Sequence, residues 1–534
     1  MNNTLPDPWQ EGLASGWQVL DASTLERDLA LECDVVIVGS GAGGGISAEV
    51  LSQAGLDVVI VEEGALKSSR DFRLRESDAY PQLYQESANR QTADKGITIL
   101  QGRTVGGSTT VNWTSSFRTP PDTLRWWREQ YGLQPLQNEA LHPWFERAEQ
   151  RLGIRDWEVT PNANNAVLAQ GCDKLGIKVG RIHRNVSGCW NLGYCGTGCP
   201  TNAKQSMLVS TLPAALQRGA RLLTRVAVTR VLASRDGKRA LGITGAALDG
   251  PGIRHTGRQI TVRARHVVLS AGAIGTPAIL LRSQLPDPYG LVGRRTFLHP
   301  VLLSGAIMPQ RIDGYHGAPQ SVYSDHFLHT RPLDGPLGFK LEVPPIHPLI
   351  FAATLPGLGD EHARLMRQLP YLNVTLALLR DGFHADSQGG QVRLRRDGSP
   401  QLDYVLGEVE WQAARRALLQ MAEIQFAAGA RAVLPVHESA GLARSWPQAQ
   451  QMIAALPMQL LRTRVVSAHV MGGAAMAGDE RQGVIDHLGQ HWQVTGLSVI
   501  DGSMFPTSIG ANPQLSIYAL ALRAAEALAA QLVR

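Results

Sequence analysis

The feature that most constrains the fold of this chain is a glycine-rich turn between a short apolar strand and a helix. Residues 33–38 are apolar and rich in β-branched side chains, which predicts a buried parallel strand. The sequence G-S-G-A-G-G follows directly at residues 39–44. Residues 46–54 then read as a helix and residues 58–61 as a second strand. A β–α–β unit with G-x-G-x-x-G in its first turn is typical of a dinucleotide-binding domain.

Each glycine of this motif has a physical reason. Gly39 permits the tight turn, Gly41 lets the backbone approach a pyrophosphate, and Gly44 allows the helix to pack closely on the strand. The helix N-terminus attracts the phosphate charge. Glu62 follows the second strand, where a carboxylate binds ribose hydroxyls and repels a 2′-phosphate. The motif therefore favours NAD or FAD over NADP.

Composition describes a large globular chain. Of 534 residues, 44% are hydrophobic and only 18% are charged, which excludes a disordered polymer. The net charge of +5 is spread along the chain without a basic run, and no zinc-finger or RNA-binding spacing occurs, so no nucleic-acid partner is expected. Residues 1–17 lack the pattern of a secretory signal, and no membrane-spanning run is predicted. We expect a cytoplasmic protein, with peripheral membrane contact left open.

Four further segments carry a family resemblance. Residues 101–112 (QGRTVGGSTTVN), 270–281 (SAGAIGTPAILL) and 292–300 (VGRRTFLHP) resemble the flavin loop, the second signature and the "VGxNLxDHP" stretch of the glucose–methanol–choline (GMC) oxidoreductases. Residues 469–529 resemble the catalytic segment and final helix of that family. The match is nearest to the long-chain alcohol oxidase and cholesterol oxidase branch.

The resemblance implies FAD and a set of contacts with it. Val111 occupies the position at which some members carry a histidine bonded to the flavin, so non-covalent FAD is expected. Beyond the glycine motif and Glu62, the expected FAD contacts are Gly106, Gly107, Ser108, Asn112, Val226, Asp501 and Pro513. An Asx turn is the alternative role for Asp501.

The resemblance also assigns a reacting pair. His469 would act as the base that takes the alcohol proton, a role that suits a side chain with an ordinary pKa near 6.5. Asn512 would orient the alcohol oxygen. The structural alternatives are a histidine that only hydrogen-bonds in a glycine-rich turn, and an asparagine that only caps the final helix, with Pro513 at its first position.

The predicted fold is α/β. It combines a discontinuous Rossmann-like FAD-binding domain with an α+β, sheet-based substrate domain. Residues 33–117, 200–300 and 462–534 are assigned to the FAD domain, residues 118–199 and 301–461 to the substrate domain, and residues 1–32 to an N-terminal extension.

Three cysteines lie close together, at Cys189, Cys195 and Cys199. Their spacing leaves three interpretations open, namely an inert structural loop, a disulfide or an iron–sulfur cluster. No other metal-ligand pattern occurs.

The predicted function is FAD-dependent oxidation of a hydrophobic primary or secondary alcohol, with oxygen, a quinone or a cytochrome as electron acceptor. Two alternatives remain. One is an iron–sulfur dehydrogenase subunit that passes electrons to a cytochrome or quinone, and the other is a non-redox FAD lyase of the same fold.

Overall fold

The computed structural model describes residues 7–533, and within them the strands form two large sheets and two small ones. The first large sheet, the nucleotide sheet, is parallel at its centre, where Leu29–Val38 lies between Val58–Val61 and His255–Leu269. In spatial order its strands are Gln18–Asp21, Arg221–Thr224, Val58–Val61, Leu29–Val38, His255–Leu269, Ala240–Leu248 and Val226–Ala233, with Leu497–Val499 beside His255–Leu269.

The second large sheet, the substrate sheet, is mostly antiparallel. Its central strands, Val301–Ile307 and Leu372–Leu379, pair over their whole length, so that Val301 faces Leu378 and Leu303 faces Leu376. Its other strands are Arg90–Gln91, Ile97–Ile99, Val465–Ser467, Phe339–Glu342, Val322–Ser324, Gly180–Arg181 and Ala432–Pro435.

The remaining strands form two small sheets. One contains Pro400–Asp403, Gly390–Leu394, Arg294–Phe297 and Met471–Gly472, and the other contains Ser115–Ser116, His183–Asn185 and Ile154–Asp156. The predicted α/β class is confirmed. The strand Gln18–Asp21, within the predicted N-terminal extension, belongs to the nucleotide sheet; residues 1–6 of that extension lie outside the described residues.

Helices cover both large sheets. Their bounds are Pro8–Ala14, Ala42–Gln53, Glu76–Leu83, Ser108–Val111, Pro121–Tyr131, Asn138–Leu152, Ala163–Lys174, Thr211–Gln217, Gly272–Ser283, Pro348–Thr354, Gly359–Met366, Glu408–Ala427, Trp446–Ala455 and Gln514–Leu532. Separate apolar cores lie beneath the two large sheets.

The final helix, Gln514–Leu532, has the length and composition to cross a bilayer, although the sequence predicted no such segment. It packs between the helices Ala42–Gln53 and Asn138–Leu152. Because 61% of its most apolar window is buried inside the fold, its packing is that of a core helix.

Candidate active site

A cavity of about 1140 Å³ runs from the nucleotide sheet to the substrate sheet. Its first end lies at the carboxyl ends of the parallel strands, where Val38 and Val61 line it, which is the position at which open α/β sheets bind their ligands. The predicted site residues that line the cavity are Gly39, Gly41, Glu62, Gly107, Ser108, Asn112, Val226, His469, Asp501, Asn512 and Pro513. Gly44, Gly106 and the three loop cysteines do not line it.

The glycine turn has two kinds of glycine. Gly39 has φ of 98°, and a Cβ there would lie 2.3 Å from Ser270 O; a Cβ on Gly44 would lie 1.9 Å from Gly39 O. These two glycines are required by the protein's own backbone. A Cβ on Gly41 would meet nothing nearer than the Gly107 Cα at 3.8 Å, and it would enter the cavity. The turn therefore leaves open the space that a pyrophosphate needs.

Glu62 lines the cavity at its nucleotide-sheet end and ties the glycine turn to the next loop. Its carboxylate accepts from Ser40 N at 3.0 Å, from Ser40 Oγ at 2.6 Å and from Gly64 N at 2.8 Å. Ser40 Oγ in turn accepts from Gly106 N at 3.0 Å. Burial raises the pKa of Glu62.

The flavin loop crosses the glycine turn at Gly107, where a Cβ would lie 2.8 Å from Gly41 Cα. Further along this loop, Asn112 Nδ2 donates to Gln514 Oε1 at 2.6 Å, which fixes the loop to the start of the final helix. Residues of both segments line the cavity. They fit the expectation that this loop and Pro513 hold the flavin end of FAD.

Asp501 joins three segments around the middle of the cavity. One carboxylate oxygen accepts from Gly272 N at 2.8 Å and Thr276 Oγ1 at 2.6 Å, and the other accepts from Ser503 N at 2.7 Å. Burial raises the pKa of this carboxyl. The predicted Asx turn is therefore present, together with contacts that place Asp501 on the cavity wall.

His469 is paired with a second histidine. Its Nδ1 lies 3.0 Å from His299 Nδ1, and the two rings stack with centroids 5.2 Å apart. His299 is buried in a left-handed conformation with φ of 48°. Asp381 holds it there by accepting from the backbone N–H of Leu298 and of His299. His469 itself is half-buried, and within the described residues no protein group hydrogen-bonds its Nε2, which is left to the cavity.

Asn512 is held by a buried ion pair. Lys340 Nζ lies 3.0 Å from Glu342 Oε1 and donates to Asn512 Oδ1 at 3.3 Å, while Asn512 Nδ2 donates to Glu342 Oε2 at 3.2 Å. The alternative role as a helix cap is wrong, because Pro513 occupies the cap position and the Asn512 side chain bonds to the strand Phe339–Glu342 instead.

Burial and charge determine the protonation of the reacting centre. Burial, aided by the charge of Lys340, lowers the pKa of His469 to about 3, so its imidazole is neutral at physiological pH. Burial also lowers the pKa of Lys340 to about 8, against the opposing attraction of Glu342. The site thus combines a neutral imidazole with an ion pair in a desolvated cavity.

The cysteine loop packs beside the flavin loop. The buried Lys204 Nζ donates to the carbonyls of Thr110, Asn112 and Cys195 at 2.7–2.8 Å. All five cysteines are free thiols, and the described residues contain no group of three His, Cys, Asp or Glu side chains placed to hold a metal ion. Which of the three interpretations of this loop holds stays a prediction.

The substrate end of the cavity is apolar. Alternate residues of the two central strands point to one face of a sheet, and here they present a continuous aliphatic wall. The helix Pro348–Thr354 covers this wall. The side chains of Leu349, in this helix, and of Leu358, which follows it, are 49% and 90% exposed. The wall contains Val301, Leu303, Val374, Leu376, Leu378 and Val466, and Phe351 and Leu355 face it.

A dinucleotide cradle that shares one cavity with a half-buried histidine and a buried amide is the arrangement expected of a flavin-type oxidoreductase. Models of the GMC oxidoreductase family match residues 80–301 and 385–521. An uncharacterised GMC-type oxidoreductase of Mycobacterium tuberculosis is 33% identical over 94% of this chain and 76% of that protein. The chain therefore belongs to the GMC oxidoreductase family, whose cofactor is FAD, and the predicted family, cofactor and enzyme class are confirmed.

Other relatives are similar along most of the chain. The long-chain-alcohol oxidase FAO1 of Arabidopsis thaliana is 28% identical over 93% of this chain, which spans only 66% of that plant protein. Among solved structures, pyridoxine 4-oxidase from Mesorbium loti has a TM-score of 0.68 at 19% identity, covering 93% of this chain and 99% of its own. Formate oxidase of Aspergillus oryzae has a TM-score of 0.68 at 16% identity, covering 94% and 98%.

Several residues of the site escaped the sequence analysis. His299 stands in the quoted "LHP" motif, but nothing in the sequence joins it to His469. Lys340 and Glu342 alternate with apolar residues in Phe-Lys-Leu-Glu, and period-two spacing places both charges on one face of a strand. A pair of opposite charges within such a short apolar strand is the signal that could have identified them.

Proposed function

We propose that this protein oxidises hydrophobic primary or secondary alcohols to aldehydes or ketones, with oxygen as the electron acceptor. The observation that carries the proposal is that His469 and Asn512 border the same cavity as the aliphatic wall of the substrate sheet. The names of the plant relatives support both the alcohol and the oxygen.

In the reaction, the alcohol loses one hydrogen as a proton and one as a hydride, and its carbon becomes a carbonyl. Bound FAD supplies the acceptor of the hydride. His469 takes the proton at Nε2, which is free to accept when Nδ1–H donates to His299. Asn512 has a second amide hydrogen beyond the one directed at Glu342, and this hydrogen donates to the alcohol oxygen.

The aliphatic wall accounts for the preference for apolar substrates. Burying one methylene group contributes about 0.8 kcal/mol, which corresponds to a gain of about fourfold in kcat/KM per added carbon.

The test is a chain-length series. Peroxide formation is measured with ethanol, 1-hexanol, 1-decanol and glucose, and we expect kcat/KM to rise from ethanol to 1-decanol and to be lowest with glucose. Leu376→Asp, in the wall, should abolish the preference for long chains, whereas Val405→Asp, at a 73% exposed position, should preserve it. A preference for glucose would contradict the proposal, and turnover with an artificial acceptor but without peroxide would contradict the assignment of oxygen.

A further inference from the structure

A buried lysine lies inside the reacting centre and has no role in the proton and hydride steps above. Lys340 is 1% exposed, and its Nζ lies 2.9 Å from the centre of the Phe117 ring and 4.7 Å from that of Tyr323. Removing a cation from water is costly unless partners compensate. Here the partners are Glu342 and the Asn512 amide, which is the proposed binding group for the alcohol.

Lys340 and Glu342 together allow a single orientation of that amide. An ammonium group can only donate hydrogen bonds, and an ionised carboxylate can only accept them. With Oδ1 toward Lys340 and Nδ2 toward Glu342, both contacts are favourable. Reversing the amide would direct N–H groups at the cation and the oxygen at the carboxylate, so both contacts would become repulsive.

The Lys340 charge also acts on the histidines. Burial is the main cause that disfavours the protonated forms of His469 and His299. Lys340 adds to this effect at both histidines, and His469 adds to it at His299. The charged or titratable groups that face Lys340 are Glu342, Asp325 and Tyr323. A neighbouring positive charge disfavours the protonated form of a histidine, and only the neutral form can accept a proton.

We propose that Lys340 is a positioning residue that sets the direction of the Asn512 amide and adds to the burial that disfavours protonation of His469. The inference rests on the proposed alcohol oxidation, because Asn512 and His469 act on the alcohol there. It assigns to Lys340 an effect on turnover through two other side chains, without contact with the substrate.

The principal test removes both charges together, because Lys340→Met alone would leave Glu342 buried and unpaired. In Lys340→Met/Glu342→Gln, the new glutamine retains an oxygen for Asn512 Nδ2 but no longer forbids the reversed amide. We expect kcat to fall at least about tenfold. The acid limb of the kcat profile should move up by about one pH unit, since His469 loses its repelling neighbour.

The matched control is Lys204→Met, which removes another buried lysine that bonds only to backbone carbonyls. This variant should be less stable, but the midpoint of its acid limb should be unchanged. FAD content and thermal midpoint establish that each variant is folded. A kcat profile of Lys340→Met/Glu342→Gln that coincides with that of the parent would overturn the inference.

A double-mutant cycle separates positioning from general damage. If Lys340 acts through Asn512, adding Lys340→Met/Glu342→Gln to Asn512→Ala should cost far less kcat than it costs in the parent. Multiplicative losses in kcat would refute the action through Asn512.

A further readout does not depend on turnover. The rate at which diethyl pyrocarbonate modifies His469, taken as the difference from His469→Gln, reports the neutral fraction of that imidazole at each pH. The apparent pKa should be higher in Lys340→Met/Glu342→Gln, and an unchanged value would refute the charge effect. If the parent oxidises no alcohol but this shift occurs, the proposed function fails while the charge effect of Lys340 stands.

Discussion

The two ends of the cavity are built in different ways. The nucleotide cradle uses a short stretch of chain, residues 39–62, and depends on backbone geometry. Gly39, Gly43 and Gly44 each fit against a carbonyl oxygen, and Gly41 leaves space for a ligand. The reacting centre gathers His299, Lys340, His469 and Asn512 from four distant segments and depends on buried charge. The first is a local device that sequence spacing reveals, whereas the second exists only once the two sheets have packed together.

Substitutions in the nucleotide cradle test this comparison most strongly. Gly41→Ala directs a methyl group into the cavity, so the protein should fold but retain less than about a tenth of its FAD. Gly43→Ala, two residues away, would place a Cβ 1.7 Å from Ile500 O and should prevent stable folding. Circular dichroism and flavin absorbance distinguish the two outcomes. A folded Gly41→Ala protein with full FAD would show that the phosphates lie elsewhere.

The reacting centre is tested by a change that leaves the cradle intact. In His469→Gln we expect kcat to fall about 10²–10⁴-fold, because the proton acceptor is lost, while FAD content remains that of the parent. Stopped-flow reduction by 1-decanol measures the chemical step directly. A His469→Gln enzyme with the kcat of the parent would contradict the assignment of His469 as the base.

A smaller effect, on the pH dependence of stability, distinguishes a histidine that affects folding from the histidine that affects turnover. Burial lowers the pKa of His266, in the strand His255–Leu269 of the nucleotide sheet, to about 4, and its Nε2 lies 2.8 Å from Ser498 Oγ. The unfolded chain, with a histidine pKa near 6.5, binds more protons than the native state between pH 6.5 and 4. The free energy of unfolding therefore falls as pH falls through this window, by about 3 kcal/mol for this group.

In His266→Gln this part of the acid sensitivity should disappear, and the thermal midpoint should change less between pH 6.5 and 4. The kcat profile should keep its acid limb, because His266 does not line the cavity. If instead the kcat midpoint moved and the thermal midpoints kept their dependence on pH, the assignment of roles to His266 and His469 would be reversed.

The same contrast explains which parts of the molecule were predictable. The strand Val58–Val61 has the predicted bounds, because a β-branched apolar run between turn residues has few alternatives. The helix predicted from residue 46 begins at Ala42. The glycines at residues 43–45 lower helix propensity, but close packing of the helix start compensates for this cost. The preceding strand starts at Leu29 rather than residue 33, because its pairing with His255–Leu269 extends it.

The reacting centre was predictable only in part. His469 and Asn512 came from family motifs, but the Asn-Pro pair also suggested a helix cap, and no local rule indicates that Asn512 bonds to a strand 170 residues earlier in the chain. Lys340 and Glu342 were not predicted, because burial on both faces of a strand is a property of the packed sheet. Contacts of this range follow from tertiary structure alone.

The most direct measurement of the central claim is an anaerobic titration of the purified, FAD-loaded protein with 1-decanol, followed by admission of air. The account predicts that the oxidised-flavin band of the parent bleaches and returns promptly in air, and that His469→Gln bleaches far more slowly at the same FAD content. A flavin band that 1-decanol leaves unchanged in the parent would contradict the account.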